Sequence, residues 1–275
     1  MKPPVESGVS LERHVGSMPC MKAQSPNNSY FSRESRLYLG IRKILRSYPE
    51  WHFAPPRVQI RRRLERLGSE YAGYYLDPAY INQNSIVYSL GVGEDISFDL
   101  ALIERFGVHV HAFDPTPRVG EWLRSQSVPR QFHFHDVGIA DFDGEVDFHL
   151  PPRKDFVSHS IISAREYSAE TIRVPVIRLR TAMQRLGHDR IDLLKLDIEG
   201  AEYGVIEDFL REGAPVEQML IEFHHRLSSV GTGKTRRALH LLESQGMKIS
   251  YVCPGFQLFT LAKDFPGFSP SVRRD

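Results

Sequence analysis

The chain has 275 residues, of which 35 are lysine or arginine and 34 are aspartate or glutamate, so its formal net charge is +1 with neutral histidines. This balance argues against a dedicated nucleic-acid-binding protein. Hydrophobic residues at 41% and charged residues at 25% are ordinary for a globular protein, and they exclude wholesale disorder, collagen and coiled coil. Two cysteines, Cys20 and Cys253, are too few for a disulfide framework or a cysteine-rich zinc site, and they suit a reducing compartment.

Membrane segments are not predicted from this sequence. No stretch approaches about 18 consecutive apolar residues, the length that a membrane-spanning helix needs. Residues 1–20 lack the apolar core of a secretory signal. We therefore expect a cytoplasmic protein with no membrane span.

The N-terminal part is predicted to lie apart from the main domain. Residues 1–30 are rich in Ser, Pro, Asn and Gly without a sustained period, and this composition predicts a flexible arm. Residues 31–80 are predicted to form a basic helical segment, with one helix beginning at Ser32 and a shorter one from Arg57 to Leu67.

This basic segment has an excess of positive charge. Between residues 33 and 66 there are ten lysines or arginines and three glutamates. Solvated helix faces are the simpler interpretation. The alternatives are a platform that completes an anionic acceptor site, or a contact in a homodimer.

Residues 81–275 are predicted to form one α/β domain, because short apolar strands alternate with helical segments from Ser85 onward. Strands are predicted at 86–90, 108–113, 131–137, 145–150, 174–179, 191–196, 216–223, 247–252 and 257–261. Helices are predicted at 98–106, 120–126, 181–186, 201–210 and 234–244, and a polar loop at 151–170. The closing pair of strands implies an antiparallel strand in an otherwise parallel sheet.

The first strand runs into Gly91-Val-Gly-Glu-Asp95, a turn that lets the backbone approach a ligand. A dinucleotide fingerprint requires a small residue at position 96, where this chain has isoleucine. Glu94 and Asp95 also place negative charge where a pyrophosphate would lie. The turn therefore favours a cofactor with a cationic head, and S-adenosylmethionine has a sulfonium, an ammonium and no phosphate.

Acidic residues follow two other predicted strands. Asp114 comes after the second strand, where a carboxylate can accept hydrogen bonds from a ribose diol. Asp197 and Glu199 follow a buried strand, and Gly200 allows a sharp turn into the next helix. The alternative for each of these acids is helix capping.

The stretch LLKLDIEGAEYGVIEDFL, which contains Asp197 and Glu199, resembles the hallmark of FkbM-type S-adenosylmethionine-dependent methyltransferases. The match extends through the Asp143–Val146 turn, the Val174–Leu179 segment and Ile221–His224, and it spans roughly residues 84–262. The resemblance implies a Rossmann-like class I methyltransferase fold, with a seven-stranded, mainly parallel sheet and an antiparallel last strand. It also implies O-methylation of a hydroxyl on a small molecule, a sugar or a natural product.

The resemblance also implies roles for particular residues. The first turn is expected to bind the methionine end of the cofactor, and it carries Ser89 where the family has an acidic residue. Asp114 is expected to bind the ribose, and the end of the third strand is expected to lie near the adenine. The full set is Ser89, Gly91, Gly93, Glu94, Asp114, His135, Asp136, Val137 and Asp197. Asp197 and Glu199 line the transfer site, and His224 (less favoured, His225) is the candidate general base.

Competing interpretations are weaker. Paired histidines at 109 and 111 and at 133 and 135 have a chelating spacing, but no third ligand is fixed, so no metal is predicted. Gly231–Thr235 looks like the end of a phosphate-binding loop but lacks the glycine at position 228, so we interpret it as a helix start capped by a threonine. The alternative functions are a catalytically inactive binding protein of the same fold, and a nucleotide-dependent oxidoreductase or NTPase.

Overall fold

The computed structural model describes residues 56–149, 170–213, 215–255 and 257–264. The predicted flexible arm, the helix predicted from Ser32 and nearly all of the predicted polar loop lie outside the described residues. No helix in the described ranges has the length and apolar character needed to cross a membrane.

The described chain begins with a small antiparallel hairpin of β1 (Glu65–Leu67) and β2 (Tyr74–Leu76). The predicted helix from Arg57 to Leu67 is therefore wrong. The turn of the hairpin depends on Gly68, which has a φ of 91° and would place an added Cβ 2.7 Å from a carbonyl oxygen. Burial of β2 side chains against the main domain outweighs the helical spacing of the leucines in this segment.

A seven-stranded sheet forms the centre of the domain. Its members are β3 (Ile86–Leu90), β4 (His109–Phe113), β5 (Phe132–His135), β9 (Ile191–Leu196), β10 (Val216–Glu222), β11 (Met247–Val252) and β12 (Leu258–Lys263). Their spatial order is β11-β12-β10-β9-β3-β4-β5. The last strand, β12, is antiparallel to both neighbours, and the other pairings are parallel. The predicted mainly parallel, Rossmann-like sheet with an antiparallel last strand is confirmed.

Helices cover both faces of this sheet. They are α1 (Ser97–Phe106), α2 (Pro117–Arg124), α3 (Leu179–Leu186), α4 (Glu202–Arg211) and α5 (Thr232–Ser244). On β3, Val87 packs with the apolar layer of α1 and α2, while Tyr88 packs with that of α3, α4 and α5. Burial on both faces explains why the central strands are continuous apolar runs.

The start of α5 differs from the sequence-based interpretation. Gly231 is the N-cap residue, and no side chain caps this end. The hydroxyl of Thr235 instead lies 3.0 Å from that of Tyr203 on α4, so it joins two helices.

A second, three-stranded sheet lies beside the first. It consists of β6 (Gly138–Ala140), β7 (Gly144–His149) and β8 (Thr171–Arg178), with β8 parallel to β6 and antiparallel to β7. The carboxylate of Asp143 fixes the turn before β7 by accepting hydrogen bonds from the Arg178 amide and the Thr181 hydroxyl.

The strand order reverses between β3 and β9. From β3 the chain crosses to β4 on one side, and from β9 it crosses to β10 on the other. Leu90 pairs with Leu196, so the two strands end side by side. Open α/β sheets bind ligands in the crevice that such a reversal leaves at the carboxyl ends of the strands.

Candidate functional site

A solvent-open cleft of about 1180 Å³ lies at this reversal, at the carboxyl ends of β3, β4, β9 and β10. Most of the predicted site residues line it. They are Gly91, Gly93 and Glu94 from the β3–α1 turn, Asp114 after β4, Asp197 and Glu199 after β9, and His224 after β10. The crossovers therefore bring together residues that are far apart in the sequence.

The predicted ribose ligand, Asp114, organises the glycine turn. Its Oδ2 accepts hydrogen bonds from the amides of Val92 and Gly93 at 3.2 and 3.0 Å. Its Oδ1 accepts one from the amide of Thr116, the N-cap residue of α2, at 2.9 Å. The carboxylate is 6% exposed, so its position is fixed by these three donors.

Asp197 is held by two residues that sequence analysis did not identify. The Tyr74 hydroxyl donates to its Oδ2 at 2.7 Å, and the Lys195 ammonium lies 3.8 Å from the same atom. Lys195 also donates to the Gly91 carbonyl oxygen. A lysine flanked by leucines in a mainly apolar strand is the sequence signal that could have identified it.

His224 lies among three carboxylates. Its Nδ1 is 2.8 Å from Glu202 Oε1, and its Nε2 is 3.3 Å from Glu199 Oε2 and 3.8 Å from Asp197 Oδ1. Burial alone would lower the pKa of His224, but the charge and hydrogen bond of Glu202, then Glu199 and Asp197, raise this pKa well above its usual value. The protonated imidazole cannot accept a proton, which disfavours the predicted role of His224 as the general base.

Glu222, at the end of β10, also lines the cleft. Burial, followed by the negative charge of Asp197, raises the pKa of Glu222 above the usual carboxyl range. Sequence analysis treated Glu222 only as part of a family match, although it follows a buried strand in the same way as Asp197.

The backbone of Glu199 is unusual. Among the described non-glycine residues it is the one with a positive φ, 52°. Such a conformation costs energy for a residue with a side chain and occurs preferentially at functional sites. It holds the Glu199 carboxylate beside His224.

Asp197, Glu199 and His224 also form the group of described residues that could hold a metal ion. One ligand atom from each lies within 4.8 Å of the others. His224 contacts carboxylates through both ring nitrogens, so the group forms an ion-paired cluster.

The predicted adenine residues do not line the cleft. His135 stacks on Phe113, with ring centroids 4.5 Å apart, and its Nε2 lies 3.2 Å from a ring nitrogen of His111. Asp136 is exposed, and Val137 packs against the apolar core. Because the chain turns after β5 into β6, Gly138 and Ile139 reach the cleft instead.

Three other predicted residues have environments that differ from the prediction. Ser89 is fully buried in β3 and does not line the cleft. Glu94 lines it, but its carboxylate pairs with the Arg118 guanidinium at 2.6 and 2.9 Å. His225 is buried outside the cleft lining. Asp99 of α1, which was not predicted, lines the cleft and is 2% exposed.

Comparisons with known proteins add the family. Residues 81–249 match the family model of the methyltransferase FkbM domain. The chain is 28% identical over 146 residues to the human probable methyltransferase-like protein 24, which covers 52% of this chain and 33% of the human protein. It is 30% identical over 140 residues to the rat protein of that name, and this match covers 50% of this chain and 32% of the rat protein. The chain therefore spans about a third of the length of these curated relatives.

Two solved structures of low similarity are fibrillarins. The pre-rRNA processing protein fibrillarin of Methanococcus jannaschii has a TM-score of 0.42 at 11% identity, covering 78% of this chain and 87% of that one. Aeropyrum pernix fibrillarin in complex with natively bound S-adenosyl-L-methionine has a TM-score of 0.36 at 14% identity, covering 76% and 84%. The family match extends over more than half of the chain and contains every residue placed in the cleft from β3 to β10. The chain belongs to the FkbM methyltransferase domain family.

Proposed function

We propose that this protein transfers a methyl group from S-adenosylmethionine to a hydroxyl oxygen of a small-molecule acceptor. Membership of the FkbM family supports this cofactor. The observation that carries the proposal is the charge of the cleft. Among the described residues, the acidic and basic side chains of its lining are seven carboxylic acids together with Lys195 and His224. The acidic residues are Glu94, Asp95, Asp99, Asp114, Asp197, Glu199 and Glu222.

This charge suits a cationic cofactor. A sulfonium and an ammonium are stabilised by neighbouring carboxylates, whereas the phosphates of NAD or ATP would be repelled. The acidic lining of the cleft therefore fits S-adenosylmethionine and disfavours the alternative of a nucleotide-dependent oxidoreductase or NTPase.

The binding roles follow the lining of the cleft. Gly91 and Gly93 allow close approach of a ligand to the backbone, and Asp114 is proposed to accept hydrogen bonds from the ribose. Ile139 and Phe148, which are apolar and line the cleft, replace His135, Asp136 and Val137 as the residues proposed to face the adenine. When bound, S-adenosylmethionine supplies an electrophilic methyl group on its sulfonium.

The chain must orient the acceptor hydroxyl and take up its proton. Asp197 and Glu199, which both contact the imidazole of His224, are proposed to hold the acceptor oxygen. We assign the proton to Glu222, because burial and the charge of Asp197 raise the pKa of its carboxyl, and a base of raised pKa accepts a proton more readily near neutral pH. His224 then acts as a positioning residue for the two carboxylates.

Calorimetric titration of the full chain with S-adenosylmethionine and, separately, NADH tests the cofactor. We expect binding of S-adenosylmethionine alone, lost in Asp114→Ala and retained in Asp136→Ala, a matched carboxylate outside the cleft lining. Binding of NADH, or an equal effect of the two variants, would contradict the proposal.

Turnover distinguishes an enzyme from an inactive binding protein. A panel of hydroxylated small molecules is incubated with S-adenosylmethionine, and S-adenosylhomocysteine is measured. We expect acceptor-dependent product that disappears in Asp197→Asn while the folded structure remains. Tight binding without product for any acceptor would favour the inactive binding protein.

A further inference from the structure

Asp99 is a buried acid of the cleft that has no role in the proposed methyl transfer. Asp99 lies in the first turn of α1 and is 2% exposed. Its Oδ1 has no hydrogen-bond partner among the described residues. An unpaired buried carboxylate oxygen is costly and calls for a partner that the folded chain itself does not provide.

The surroundings of Asp99 compensate its charge only in part. Burial raises its pKa, while the positive charge of Lys195 and the hydroxyl of Ser89 lower it. Lys195 is shared, because it donates to the Gly91 carbonyl oxygen and lies 3.8 Å from Asp197.

The chemistry of the cofactor indicates which of its groups could bind the unpaired oxygen of Asp99. Asp99 lines the same cleft as Gly91 and Gly93, so it faces the ligand space at the start of α1. Of the two cationic groups of S-adenosylmethionine, the sulfonium has no N–H, whereas the ammonium has three donors. A desolvated carboxylate oxygen is matched best by a charged N–H donor.

The two acidic residues of the turn, Glu94 and Asp95, already have partners. Glu94 forms a bidentate pair with the Arg118 guanidinium at 2.6 and 2.9 Å. Its charge is therefore already neutralised from α2. Asp95 accepts hydrogen bonds from the Ser69 hydroxyl and the Ser97 amide, so its two oxygens are also engaged.

We propose that Asp99 binds the ammonium group of S-adenosylmethionine. This inference rests on the proposed cofactor and adds the residue that anchors its amino-acid end. The negative charge comes from α1 rather than from the end of β3, where position 89 carries an uncharged side chain.

The test measures binding and not turnover. The dissociation constants of S-adenosylmethionine, S-adenosylhomocysteine and 5′-methylthioadenosine, which lacks the amino-acid portion, are determined by calorimetry. In Asp99→Asn we expect the first two to weaken by about 10- to 100-fold, the usual effect of a hydrogen bond to a charged group, and the third to stay unchanged. The control Glu104→Gln removes an equal charge from the same helix, at an exposed position outside the cleft lining, and should leave all three within about threefold.

Circular dichroism and thermal unfolding establish that each variant is folded. A measurement on the unmodified chain needs no variant: the deaminated analogue of S-adenosylhomocysteine should bind about 10- to 100-fold more weakly than the parent ligand.

Several outcomes would overturn the inference. One is equal binding of the deaminated analogue and S-adenosylhomocysteine. Another is an equal loss of 5′-methylthioadenosine affinity in Asp99→Asn, which would make Asp99 only the structural counter-ion of Lys195. If the unmodified chain bound neither S-adenosylmethionine nor S-adenosylhomocysteine, the proposed cofactor would fail first, and the result would differ visibly from a defect confined to Asp99.

Discussion

Gly91 and Asp197 touch through their backbones. A Cβ added at Gly91 would lie 1.8 Å from the carbonyl oxygen of Asp197, and Gly91 has a φ of 72°. In addition, the Asp197 amide donates to the Leu90 carbonyl oxygen at 3.2 Å. The turn after β3 and the end of β9 therefore form one unit that joins two parts of the cleft wall.

We expect Gly91→Ala to destabilise the protein by more than the left-handed backbone alone requires. Gly187 has the same φ, 72°, and nothing within 4 Å of an added Cβ, so Gly187→Ala measures the backbone term, about 1 kcal/mol. Urea unfolding should give a clearly larger loss for Gly91→Ala, because backbone atoms must move. Equal losses in the two variants would mean that the contact between the turn and β9 is not tight.

Glu222 is expected to set the pH dependence of methyl transfer. The carboxylate must be ionised to accept a proton, and its pKa is raised by burial and by Asp197. The rate should therefore rise with pH through a higher range than an ordinary carboxyl group gives, and fall as pH drops below the raised pKa. Glu222→Gln should remove this limb and lower kcat by about 10²–10⁴-fold while cofactor affinity stays within a few fold.

The matched control is Glu217→Gln, which changes a glutamate of the same strand outside the cleft lining. It should leave the pH profile and kcat unchanged. Retention of the pH limb in Glu222→Gln would assign the titration to another group and contradict the proton assignment.

Glu202 supports the turn that carries Glu199. Its Oε1 accepts hydrogen bonds from the amides of Ile198 and Gly200 at 3.0 Å each, in addition to its contact with His224. We expect Glu202→Gln to lower the free energy of unfolding by about 1.5–3 kcal/mol. The fully buried hydrogen bonds to a charged carboxylate are then replaced by weaker bonds to a neutral amide.

Chemical denaturation measures this loss, and Glu207→Gln is the control. Glu207 lies on the same helix, α4, but its side chain is exposed. A similar small effect for both variants would mean that Glu202 is not the support of the turn.

A cluster of histidines on the outer part of the sheet should make the protein sensitive to acid. The rings of His109, His111, His133 and His135 stack across β4 and β5, and His188 packs edge-on to His111. Burial, followed by the charges of His188 and His135, lowers the pKa of His111 to about 3.

A folded-state pKa below the unfolded value near 6.5 means that the unfolded chain binds the proton first. Stability is therefore complete above about pH 6.5 and falls as pH drops toward 3, by about 1 kcal/mol per pH unit for one such group. Unfolding measured from pH 7 to 4 should show such a slope. His111→Gln should make it shallower by the share of one histidine, because the pKa values of His133, His135, His188 and His225 are lowered as well. His240→Gln, an exposed histidine on α5, should leave the slope unchanged; an equal slope in His111→Gln and the unmodified chain would contradict the role of His111.

The main strands and most of the site followed from the sequence. Apolar runs that end in glycine or in acidic residues are local signals, and they located the ends of β3, β4 and β9 with Gly91, Asp114 and Asp197. Because parallel strands place their carboxyl ends on one edge, these residues had to meet once the strands were known.

The errors arose where local patterns were outweighed by distant contacts. The leucine spacing before Gly68 suggested a helix, but the segment forms a hairpin whose second strand is buried against the domain. His135, Asp136 and Val137 end a strand as predicted, yet the turn into β6 carries the chain past them and brings Ile139 to the cleft.

Only the tertiary structure decided which side chains support the site. Tyr74 donates to Asp197 across 123 positions of sequence, and Lys195 reaches the Gly91 carbonyl across 104. Asp99 reads in sequence as an ordinary acid at the start of a helix, and its buried, unpaired oxygen exists only because α1 packs below the glycine turn. The sequence by itself determined the main strands, the functional residues that follow them and the family, because these depend on local residue patterns. The partners of each buried charge depend on register and crossover geometry, which no local pattern encodes.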